Sequence, residues 1–77
     1  MYLLPMTHAS LIDNWPSLSE FAADIGIKYG TAKAMRRRGA IPANRWAAVV
    51  SAAEERGYEQ VTFEKLAEIA ADRQEDA

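Results

Sequence analysis

Lys28, Lys33, Arg36, Arg37 and Arg38 fall in one short stretch with no acidic residue among them, and Tyr29 and Gly30 lie in the same stretch. Ammonium and guanidinium groups gathered this way suit one chemistry: they neutralise the phosphates of a polyanion and donate to the edges of its bases. Arg45 extends the run, so residues 28–53 hold six cations and no acid, a block of +6. Residues 1–27 carry −3 and residues 54–77 carry −5, which leaves the chain at −2. A split of this kind marks either a face for a polyanion or a basic surface that stays in water, and charge by itself leaves both open.

Other chemistries find little support. The chain has no cysteine, which excludes disulfides, cysteine-ligated zinc and a cysteine nucleophile. Its one histidine, His8, cannot make an imidazole-rich metal site and reads as a surface residue. There is no glycine-rich phosphate loop behind a strand and no carboxylate pair above background, so neither an enzyme, a metal site nor a cofactor is expected. Glu64 and Glu68, one turn apart, read as ordinary solvated charge.

The elements that must position the cations are helices. At 77 residues, 49% hydrophobic and 26% charged, the chain has the make-up of one small globular domain. No stretch alternates apolar and polar residues long enough for a strand, whereas helical spacings recur. The sequence predicts an all-α, five-helix domain spanning residues 1–77. A first helix covers about 7–14, with Leu11, Ile12 and Trp15 apolar, and Pro16 stops it. Ser17 and Glu20 form a capping box for a second helix that buries Phe21, Ala22 and Ile25 and ends at Gly26. A third helix, about 29–38, turns Ala32 and Met35 inward and stops at Gly39. Pro42 opens the fourth in its first turn; Trp46, Val49, Val50 and Ala53 face the core, and Gly57 ends it. Thr62 caps a fifth, acidic helix of about 63–73, followed by a frayed tail of 74–77. Trp15 and Trp46 are read as core or half-buried, and Tyr58 as packing beside Gly57 and Val61. The first six residues match neither a signal peptide nor a membrane span, which makes the cytoplasm the expected compartment.

Residues 18–38 are the most informative. Two short helices joined by a glycine-containing turn fit the helix-turn-helix description. Ala22 allows a close crossing, Gly26 suits a positive φ, and Ile27 plugs the bend. The run Phe21-Ala22-Ala23-Asp24-Ile25-Gly26-Ile27, then Thr31-Ala32 and Met35-Arg36-Arg37-Arg38-Gly39-Ala40-Ile41-Pro42 followed by Trp46, resembles the small phage Cro and repressor helix-turn-helix proteins, over roughly residues 15–70. The chain departs from that pattern where Lys28 stands in place of a capping Ser or Thr, Ala32 in place of Val or Ile, and Met35 in place of Trp. These departures loosen the expected packing of the second helix of the motif and leave its outer face intact.

The resemblance implies a regulator of transcription, in a phage or prophage setting, that binds double-stranded DNA with this helix in the major groove. Lys28, Tyr29, Gly30 and Lys33 are then the base-reading positions. Ser17, Ser19, Thr31, Arg36, Arg37, Arg38, Asn44 and Arg45 are the phosphate contacts. Capping alone explains Ser17, and the helix dipole explains at least one arginine at its C-terminal end. Phe63, Leu66 and Ala70 are a dimer contact in the same reading, or a cap on the core. The acidic outer face of the last helix, Glu64, Glu68 and Asp72, offers a surface for a protein partner. Two alternatives stand beside this one: an antitoxin-like or adaptor module that binds protein, and an excisionase-like architectural DNA-binding factor, which needs a β-hairpin wing.

Overall fold

The structure, a computed structural model, describes residues 7–75 and their side chains as far as Ala71. The elements in order are α1 (His8–Ile12), α2 (Leu18–Ile25), α3 (Tyr29–Arg38), a 3₁₀ turn (Ala43–Arg45), α4 (Trp46–Arg56) and α5 (Phe63–Glu75). The all-α expectation holds. Among the described residues there is no strand, so the wing that the excisionase-like alternative needs has no counterpart there. No helix among them is long and apolar enough to cross a membrane. Residues 1–6, read above for signal and span, lie outside the described residues, as do the Asp72 side chain and residues 76–77 of the tail. Its residues 74 and 75 continue α5.

The helix boundaries follow from local chemistry. Thr7 caps α1, its hydroxyl accepting from the Ala9 N–H at 3.3 Å. The helix is shorter than its apolar spacing suggested: the Asn14 and Trp15 N–H groups bond three residues back, to Leu11 and Ile12, and the Asn14 side-chain amide also donates to the Leu11 carbonyl. Ser17 caps α2 by accepting from the Glu20 N–H at 3.2 Å. The return half of the capping box does not form, because the Glu20 carboxylate accepts from Arg56 instead, at 3.1 Å. Gly26 takes φ +74, where its N–H and that of Ile27 close back on Ala23 and Ala22. Pro42 stands ahead of the 3₁₀ turn rather than inside the fourth helix, which begins only at Trp46.

The core gathers Leu11, Ile12 and Trp15 with Phe21, Ala22 and Ile25 from α2, Ala32 and Met35 from α3, and Val49, Val50, Ala52 and Ala53 from α4. Ala32 and Met35 are sealed despite the small and flexible side chains found there, so the expected looseness of α3 is absent. Trp15 stands edge-on to both Phe21 and Tyr58, with ring centroids 5.0 Å apart in each case. Along α5 the pattern departs from expectation. Leu66 and Ile69 enter the core, Phe63 is 52% exposed, and Ala70 is half-buried.

The other departure is His8, which is a core residue with 1% exposure and not a surface one. The Ile41 backbone N–H can only donate, and it meets Nδ1 at 2.8 Å, so Nδ1 is the acceptor. The neutral ring therefore carries its proton on Nε2, which donates to the Leu66 carbonyl at 3.0 Å. The His8 N–H also donates to the Gly39 carbonyl, and the Trp46 indole packs edge-on to the ring while donating to the Ile41 carbonyl. One imidazole thus ties α1 to the connection after α3 and to α5.

A second polar cluster closes the opposite seam. Asp24 accepts from the Trp15 indole at 2.9 Å and from the Arg56 guanidinium, which also reaches Glu20. The hydrogen bond from Arg56, then that from Trp15, holds the Asp24 carboxyl below its ordinary range.

Two outcomes are expected. His8→Ala leaves the Ile41 N–H unpaired inside the protein and opens a gap at the ring, at a cost of about 2–4 kcal/mol in urea unfolding; a loss under about 1 kcal/mol would show that the imidazole holds little together. A carboxylate with a lowered folded pKa stabilises above its unfolded value of about 3.9 and loses that contribution as pH falls below it. Asp24→Asn should therefore be less stable than the parent at pH 7 and converge with it toward pH 2, as followed by thermal unfolding across pH.

Candidate nucleic-acid interface

The twelve positions read from the sequence as DNA contacts, Ser17, Ser19, Lys28, Tyr29, Gly30, Thr31, Lys33, Arg36, Arg37, Arg38, Asn44 and Arg45, are all exposed. They come from three places: the start of α2, the length of α3, and the 3₁₀ turn ahead of α4. α2 and α3 are joined by Gly26, Ile27 and Lys28, and packing against each other is the largest contact either makes. Ala32 and Met35 fix the rotation of α3 by entering the core. Successive helical residues turn by about 100°, so Gly30, Lys33 and Arg37 line the ridge directly opposite that core side. Tyr29 and Arg36 lie on one flank of the ridge, Thr31 and Arg38 on the other. The three closing arginines therefore point three ways, and Arg37 alone shares the central ridge with Lys33.

Arg36 is already engaged. Its Nε and Nη2 donate to the two carboxylate oxygens of Asp13 at 2.8 and 3.1 Å, and this pairing raises the guanidinium further above its ordinary range. Asp13 takes two of the five N–H donors of Arg36 and neutralises its charge, which weakens it as a phosphate contact. Among the described residues Lys28, Lys33, Arg37, Arg38 and Arg45 have no ion-pair partner. The start of α3 has no side-chain cap, since Lys28 occupies the cap position without a hydrogen bond to the helix. The leading amides of α3 are thus without a side-chain acceptor, and the residue at the cap position is a cation. Ser17 is occupied in capping α2, whereas Ser19 is free of any such role.

Gly30 is not explained by the fold. Its φ is not positive, and a Cβ built there meets nothing within 4 Å. Glycine in a helix is less favourable than alanine by up to about 1 kcal/mol, and nothing inside the protein requires it.

Of the three residues read as a dimer contact, Leu66 is fully enclosed and cannot touch another chain. Its place in the core follows from α5 docking on α1 and α4 through Leu66 and Ile69, which turns Phe63 away. Ile69, which lies beside the apolar stripe of Phe63, Leu66, Ala67 and Ala70, enters the core with Leu66.

The chain matches no protein-family model, no curated protein and no solved structure.

Gly30→Ala should raise stability by about 0.5–1 kcal/mol in urea unfolding, because it removes freedom from the unfolded chain and adds no clash. A loss of stability would mean that the fold itself needs the glycine.

Proposed function

We propose that the chain is a sequence-reading double-stranded DNA-binding regulator, which lays α3 in the major groove and acts in the cytoplasm. The observation that carries this reading is the acid-free outer side of α3, where Lys28, Lys33, Arg37 and Arg38 have no ion-pair partner among the described residues. The close pairing of α2 with α3 around a left-handed Gly26 supports it, as does the sequence resemblance to Cro and repressor proteins. The ridge of Gly30, Lys33 and Arg37 would enter the groove. Lys33 has the reach to donate to guanine O6 and N7, and Gly30 lets the helix backbone come close. Arg37 and Arg38 at the far end of α3, Ser19 at the start of α2, and Asn44 and Arg45 in the 3₁₀ turn would meet phosphates on either side.

Binding to random duplex DNA, titrated with salt, tests the reading. Affinity should fall on a log–log plot with a slope of about −0.9 per phosphate neutralised. Arg37→Ala or Arg38→Ala should weaken all sequences alike and reduce the slope by about 1, whereas Lys33→Ala should change which sequence a random pool yields. Asp13→Ala should strengthen binding to every sequence by releasing Arg36. Gly30→Ala should bind less tightly while folding more stably. No measurable binding at low salt would overturn the proposal.

A further inference from the structure

Where α4 ends and α5 begins, the surface holds a concavity of about 480 Å³, within the size range of ligand-binding clefts. Val50, Tyr58, Val61 and Phe63 supply its apolar lining, and Glu54 and Glu59 supply carboxylates. Phe63 and Tyr29 are the two large hydrophobic side chains left exposed among the described residues, and only Phe63 lies here. A half-exposed phenylalanine at the mouth of an apolar hollow is an anchor without an occupant.

The charge around the hollow says what would fill it. Glu54, Glu59 and the neighbouring Glu55 and Glu64 make no ion pair among the described residues. The cations closest in sequence are committed elsewhere: Arg56 to Asp24 and Glu20, and Lys65 to Glu68. Glu54 and Glu55 also stand in the last turn of α4, the end at which the helix dipole disfavours anions. The rim is therefore anionic against local preference. A second copy of the chain would bring the same carboxylates face to face across an isologous contact. A cationic partner would relieve both the mutual repulsion and the dipole.

We propose that this groove docks a peptide segment of a partner protein, one that offers an apolar side chain flanked by lysine or arginine. The proposal involves no residue of α3 and stands independently of DNA binding.

The test is a titration of the full chain, followed by amide chemical shifts, with a nine-residue synthetic peptide bearing a central Leu-Phe pair between lysines. A glutamate-flanked analogue serves as the control. The lysine peptide should move the amides of Gly57, Tyr58, Val61 and Phe63 and bind less tightly as salt rises. Phe63→Ala should weaken it by about tenfold or more, with an unchanged circular dichroism spectrum. Glu54→Gln combined with Glu59→Gln should remove most of the salt dependence. Equal binding of both peptides, shifts centred elsewhere, or no saturable shift at millimolar peptide would overturn the proposal. So would concentration-dependent self-association that Phe63→Asp abolishes, because it would make a second copy the occupant.

Discussion

The fold hangs on one buried imidazole. Five short helices cannot each seal a core, and α1, with its five residues, is too short to be stable by itself. His8 solves this by spending both ring nitrogens on backbone groups of distant segments, Ile41 on one side and Leu66 on the other. Because its partners are main-chain atoms, the clasp fixes the path of the chain and not merely a pair of side chains. It holds the connection that follows α3 at Gly39 and Ile41, so the far end of the basic helix is anchored while its outer side stays open.

Charge is sorted by the same economy. Asp24, Glu20 and Arg56 join α2 to the end of α4, and Asp13 and Arg36 join the turn after α1 to α3. These pairs absorb one cation of the +6 block and one of the acidic C-terminal segment. Among the described residues, what remains is segregated, with lysines and arginines that make no ion pair along α3 and the 3₁₀ turn, and glutamates that make none around the junction of α4 and α5. A net charge of −2 conceals two surfaces of opposite sign on separate elements. Such a molecule turns in a polyanion's field before it touches anything.

Much of this was legible beforehand, for reasons local to the chain. Ser17, Gly26, Gly39 and Gly57 mark helix ends through the backbone geometry of one turn, and Phe21, Ala22, Ile25, Ala32 and Met35 declare their inward faces by spacing. What escaped was long-range. Nothing near His8 announces that its partners lie 33 and 58 positions away, and backbone groups carry no residue identity to search for. Glu20 looks like half of a capping box because its rival, Arg56, is 36 residues distant. The facing of α5 is not fixed by spacing, because Phe63, Leu66, Ala67, Ile69 and Ala70 cover more of the helix than one stripe. Docking on α1 and α4 decides which of them enters.

The ridge of Gly30, Lys33 and Arg37 lies opposite the core side of α3 and touches none of the packing that holds the helix in place. Exposed positions such as Lys33 and Arg37 tolerate substitution with little change in stability, typically within about 0.5 kcal/mol. The scaffold therefore separates the side chains of α3 that the fold needs, Ala32 and Met35, from those on its outer ridge that are free to vary. In the DNA-binding reading proposed above, a lineage would exchange one target for another through Gly30 and Lys33, without passing through unfolded intermediates in sequence space.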